Sequence, residues 1–201
     1  MKTIRSFLLS WQGGWLPSLG GAMLLLALTL LSFKSQIPMQ TVSQAYLDRQ
    51  EVVATATKVF TTSDRREWDA CSRLFTEEVI LDYQSLSGQP AESLSPKQIV
   101  ERWQGILPGF AATQHMLTNH EVEFPSVNLA VCRFYGHAVH YIPQAAGGEE
   151  WGVYGTYTLE LLRRKEGWKV RYMQYNHKYQ HGNAQLPALA IERVKADLAD
   201  K

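Results

Sequence analysis

The stretch NLAVCRFYGHAVHYI, Asn128 to Ile142, decides what kind of chain this is. With a period of two, it puts Ala130, Cys132, Phe134, Gly136, Ala138, His140 and Ile142 on one face and Tyr135, His137 and Tyr141 on the other. The first face is small and apolar apart from a single histidine, the pattern of a strand that walls a pocket beneath covering helices. Similar extended segments flank it, and four strands fit: Ala112 to Phe124, Asn128 to Ile142, Glu149 to Arg163 and Trp168 to Tyr179. The breaks "PSV", "PQAAGG" and "RKEG" have the length and residue types of antiparallel hairpins.

Upstream the spacing is helical. Ala45, Leu47, Val52, Val53, Ala56 and Val59 recur at approximately helical intervals, with an end expected near Thr61 to Ser63. A second helix, Arg65 to Phe75, is expected from the stripe Trp68, Cys71, Phe75, and Asp64 with Glu67 three residues later has the form of a capping box. A strand from Val79 to Leu86 follows it. Ser95, Pro96 and Gln98 then open a third helix reaching about Leu107. Helices first and hairpins afterwards indicate an α+β domain: a curved antiparallel sheet with three covering helices, enclosing an apolar cavity. "PALAIERVKADLADK" closes the chain as a short amphipathic helix in a tail, 183–201.

The chain has 201 residues, 45% hydrophobic and 19% charged, which suits one domain, 44–182, plus an appendage at 1–40. A net charge of +1 leaves no footprint for nucleic acid. In the appendage, Lys2 and Arg5 precede a run without charge from Ser6 to Phe33, ended by Lys34. It reads as a signal peptide or an uncleaved membrane anchor, with the domain exported; the anchor is preferred because no small-x-small cleavage site follows. Cys71 and Cys132 fall on core-facing stripes, where free buried thiols are common.

His137 and His140 spell HxxH, but residues three apart on a strand project to opposite faces, and the same parity argument separates His115 from His120. No metal and no cofactor are assigned.

Asp64, Tyr83 within "LFTEEVILDY", His115 within "TQHMLTNH" and His140 within "GHAVHY" together resemble the SnoaL-like branch of the nuclear transport factor 2-like superfamily, over roughly Gln44 to Tyr179. Their order is similar to that of enzymes of the scytalone dehydratase and bile-acid dehydratase type. The resemblance implies a cone of curved antiparallel sheet closed by three helices. It also implies cofactor-independent acid–base chemistry, dehydration or isomerisation, on a hydrophobic small molecule bearing a carbonyl. In that expectation Asp64 orients His115, His115 removes the proton α to the carbonyl, and Tyr83 with His140 donates to the developing enolate oxygen. Trp68, Phe134 and Asn176 would line the pocket, with Lys178 the alternative to Asn176. The family's further tyrosine near the aspartate is absent: Val59, Phe60 and Ser63 occupy that neighbourhood. The same cone also serves binding modules, so a non-catalytic ligand-binding or dimerising domain is the competing reading, with Tyr135 and Tyr141 as outer-face contacts of a homo-oligomer.

Overall fold

The computed structural model describes residues 39–200, with side chains from Gln44 onward. The expected signal or anchor lies outside the described residues. Among the described ones, no helix is long and apolar enough to cross a membrane.

Helix α1 (Met39–Asp64) is followed by α2 (Trp68–Ser72), β1 (Phe75–Asp82), α3 (Gln84–Ser87), β2 (Glu92–Leu94) and α4 (Pro96–Gln104). A 3-10 turn, Leu107–Gly109, leads to β3 (Ala112–Ser126), β4 (Leu129–Tyr141), β5 (Glu150–Arg164), β6 (Gly167–Gly182) and α5 (Leu186–Ala199). The strands form one curved sheet in the order β2-β1-β6-β5-β4-β3. The three hairpins from β3 to β6 are antiparallel as expected. The sheet is nevertheless mixed, because β1 runs parallel to β6. Such a pairing joins strands some ninety residues apart, and no local turn announces it.

Three other boundaries differ from the sequence reading. The first strand begins at Phe75, not Val79, so Tyr83 lies just past its end as the residue that opens α3. Helix α4 stops at Gln104, although its start is as read: Ser95 accepts from the Gln98 N–H, and the Gln98 side chain returns to the Ser95 N–H. The second helix shrinks from an expected eleven residues to the five of α2.

Helices α1, α2 and α4 bury Val52, Ala56, Val59, Cys71 and Ile99 against Cys132, Leu159, Leu161, Val170 and Met173 of the sheet. Both cysteines are free and buried. A smaller cluster forms where α5 lays Leu186 and Ala190 on Phe110 and Ile142, which gives the C-terminal helix the docking site the sequence left open.

Candidate active site

Asp64 is at the wrong end of a helix for the capping role. Where α1 was expected to end, the hydroxyls of Thr62 and Ser63 bond back to the carbonyls of Lys58 and Phe60, so both residues are accommodated inside the helix. The helix continues to Asp64, and Arg66, at φ 59, reverses the chain. Glu67 takes the N-cap position of α2 and makes no side-chain cap bond. The capping-box reading is therefore corrected: Asp64 caps nothing.

A carboxylate at a helix C-terminus meets the negative end of the dipole, so its position must be sustained by other groups. Those groups all come from β3. Oδ1 accepts from the Thr113 hydroxyl at 2.8 Å and faces His115 Nδ1 at 2.8 Å, while Oδ2 accepts from the His115 N–H at 2.9 Å. Burial pushes the Asp64 carboxyl upward, but the hydrogen bond and charge of the His115 ring, with the His115 N–H and Thr113, outweigh it and hold Asp64 below the usual carboxylate value.

A carboxylate only accepts, so His115 Nδ1 carries a proton and Nε2 is the nitrogen on the side of the ring away from Asp64. The ring packs 5.2 Å from Phe60 and 6.1 Å from the perpendicular ring of His140. His140 is buried, with Nδ1 3.3 Å from the Trp151 carbonyl oxygen, so its proton also sits on Nδ1 and Nε2 is bare. Burial first, and the nearby His115 charge second, pull its pKa down to about 4. At neutral pH His140 offers an acceptor, where the sequence reading had it donate.

Of the other expected residues, Tyr83 and Phe134 pack on the inner side of the sheet and Asn176 does not. Tyr83 packs 5.7 Å from Tyr175, with its hydroxyl 3.5 Å from Met173 Sδ. It also faces a pocket of about 290 Å³ with Leu81, Trp103 and Ile106, rimmed by the bidentate Arg102–Glu92 pair. Phe134 is an inner wall, edge-on to Phe60 and stacked on Tyr157. Trp68 lines an outer depression between α2 and α4. Asn176 is on the far face of β6: it bonds Gln174, two residues away, while the intervening Tyr175 is buried inside. Trp68 thus lines a pocket other than the one expected, and Asn176 faces away from the inner wall. A register shift at Asn119, φ 58, also defeats the parity argument for His120, which turns inward onto Phe134.

Phe60, Tyr157 and Tyr175 were not foreseen. Tyr157 is paired with the inward Phe134 and alternates with the buried Leu159 and Leu161, so the period-two reading used for β4 finds it when applied to β5.

The model of the SnoaL-like domain family matches residues 44–174. The chain belongs to that family. No curated protein matches it. Among solved structures, a protein from Kribbella flavida is similar at 26% identity with a TM-score of 0.68, covering 72% of this chain and 99% of that one. A provisionally assigned scytalone dehydratase from Novosphingobium aromaticivorans follows at 15% and 0.59, covering 71% and 91%. A hexachlorocyclohexane dehydrochlorinase from Novosphingobium barchaimii stands at 17% and 0.55, covering 69% and 94%. The SnoaL-like cone is thus shared with proteins named for elimination chemistry, and at these last identities the likeness concerns fold alone.

Proposed function

We propose that this SnoaL-like protein is a cofactor-independent acid–base enzyme, a dehydratase-type lyase or an isomerase, acting on a hydrophobic small molecule that carries a carbonyl. The observation that carries the reading is the 2.8 Å contact between Asp64 and His115 Nδ1, which holds a proton on Nδ1 and leaves Nε2 as the nitrogen that can exchange one on a half-buried ring. His115 Nε2 takes the proton α to the carbonyl, and the electron pair moves to the carbonyl oxygen as an enolate. Asp64 stabilises the imidazolium so formed, and Tyr83 donates to the enolate oxygen. In dehydration, the proton on His115 passes to a β-hydroxyl, which leaves as water and gives the enone. In isomerisation the proton returns to another carbon. His140, with its bare Nε2, orients a substrate hydroxyl by accepting from it.

The test is a screen of the full-length protein against β-hydroxy ketones and enones, with His115→Ala alongside. Turnover that survives this substitution rules out the assigned base.

A separate observation favours the second reading, a dimerising module. A groove of about 510 Å³ crosses the outer sheet face between Met116, Tyr135, Lys178 and Tyr179. Sedimentation of the protein with and without Tyr135→Ser tests that reading. The N-terminal run supports export of the domain, and fractionation of cells expressing the full chain tests it.

A further inference from the structure

The two ends of the sheet differ in charge and in exposed apolar surface. At one end are the β3–β4 and β5–β6 turns, where Ser126 pairs with Leu129, Leu129 with Leu162, and Arg164 with Gly167. At the other are Ala112, Tyr141 and Glu150, close to His140 and its partner Trp151. Helix α1 runs from the first toward the second: Asp48 meets Arg163 at 2.5 Å beside the turns, and Asp64 meets His115. Arg163 also donates to the Val127 carbonyl at 3.0 Å, so one guanidinium ties this part of α1 to the tip of the β3–β4 hairpin.

That tip is apolar. Val127 is 79% exposed, Phe124 and Pro125 beside it are exposed as well, and Tyr46 and Leu47, next to Asp48, are each more than half exposed. A hairpin turn this tight favours Gly, Asn, Asp and Ser. Single exposed apolar residues are ordinary, whereas several close together mark a contact surface. Basic residues frame the group. Arg73, Arg164, Lys165 and Lys169 come to this end, and Glu77, Glu78 and Glu166 do not fully offset them. The hairpin at the opposite end, Pro143 to Glu150, carries Glu149 and Glu150 and no Lys or Arg.

We propose that this end of the domain docks on an anionic lipid bilayer, with Phe124, Pro125 and Val127 entering the headgroup region and Arg164, Lys165 and Lys169 meeting the lipid phosphates. The charge difference between the ends sets the orientation, because an anionic surface attracts the basic end and repels the acidic one. Chain length makes a small contact sufficient. Lys34 closes the uncharged run ten residues before Gln44, and a stretch of that length reaches about 35 Å at most. So few apolar residues hold a free protein weakly on lipid, but a short tether turns docking into an intramolecular event at about millimolar effective concentration. Docking of this kind requires that the run, Ser6 to Phe33, is kept as an anchor; it does not depend on the acid–base chemistry of His115. The end that carries His140 and Trp151 then faces away from the lipid.

The full-length protein, reconstituted into vesicles of phosphatidylcholine and phosphatidylglycerol at about three to one, tests the surface. Val127→Cys supplies an exposed thiol for an environment-sensitive fluorophore, since Cys71 and Cys132 are buried. Ala146→Cys, exposed at the opposite end, is the control. The label at 127 should shift its emission to the blue and lose about half of it to nitroxides on the lipid chains, while the label at 146 stays as in water. Lys165→Gln should lower the ratio of docked to undocked label about fivefold and leave insertion of the chain unchanged. A label at 127 that stays as in water on vesicles holding the protein, or an equal shift at 146, overturns the proposal. So does a blue shift at 127 that grows with the protein-to-lipid ratio and ignores phosphatidylglycerol, because it assigns the surface to a second copy of this chain. Protein that does not insert into the vesicles removes the anchor and the docking together.

Discussion

The two faces of the same sheet carry nearly the same residue types and do different things with them. Inside lie His115, His140, Tyr157 and Tyr175; outside lie His137, His181, Tyr154 and Tyr179. On the outer face the rings stack on one another, His137 on Tyr154 at 3.9 Å and Tyr154 on Tyr179 at 4.4 Å, with Tyr179 half exposed. On the inner face a carboxylate enters. Asp64, brought by α1, faces one histidine and fixes its proton, while the second histidine gives its proton to a backbone carbonyl. Residue type therefore does not separate a candidate active site from an aromatic surface; the presence of an acceptor that fixes the tautomer does.

The comparison breaks most sharply at the bases. His115→Ala should lower turnover of any substrate found by about 10²- to 10⁴-fold, the usual contribution of a positioned general base. His137→Ala, at a histidine with no carboxylate partner, should leave turnover unchanged. Equal losses in the two variants, measured as kcat/KM, would mean that the sheet's inner and outer faces had been assigned the wrong way round.

Next in size is Asp64→Asn. With its NH₂ in the Oδ1 position the amide keeps the three contacts only if the Thr113 hydroxyl turns to accept and the His115 proton moves to Nε2; in the other orientation the NH₂ meets the His115 N–H, donor to donor. Thermal denaturation should show a loss of about 2 kcal/mol. The kcat should fall more than KM rises, because the lost interaction grows as His115 becomes charged.

These contrasts also show what was legible in the sequence. Alternation along β4 placed His140 inside and His137 outside, because a sheet with one buried face ties every side chain to a period of two. The signals in the helices were weaker guides. The capping box around Asp64 is a local pattern, and it was overridden when the Thr and Ser residues before it bonded back into α1. The long-range pattern of Asp64 with His115 described the contact correctly although its local reading was wrong. Asn176 was misplaced because the inward position next to it belongs to Tyr175. Tyr157 lies over Gly136 of the neighbouring strand, and that relation exists only once the register is known.

The pH dependence sharpens the comparison at His140. Its folded pKa, about 4, lies below the ordinary histidine value of 6.5. Between those values the unfolded chain binds a proton that the folded one refuses, so stability falls as pH drops through this window and is fully present above it. Asp64 acts at lower pH: its carboxyl is held below 3.8, so its contribution is present above that value and lost as pH falls through the folded one. His140→Gln should flatten the first slope, which amounts to about 3 kcal/mol, and leave the second. Denaturant midpoints measured from pH 2 to 7 check it; an undiminished slope above pH 4 would assign the loss to another group.

The smallest effect belongs to the outer face. His137 is pushed below its ordinary pKa by burial first and by the charge of His181 second, the two rings being 6.4 Å apart. His181→Gln removes only the second cause, so the His137 titration followed by NMR should move upward while staying below the ordinary value. Stability should change by less than about 0.5 kcal/mol, as for a surface substitution that touches no buried network. A shift as large as that expected inside the cone would mean that the outer histidines form a coupled pair of their own. Without a carboxylate to hold one proton in place, such a pair still lacks what makes His115 a base.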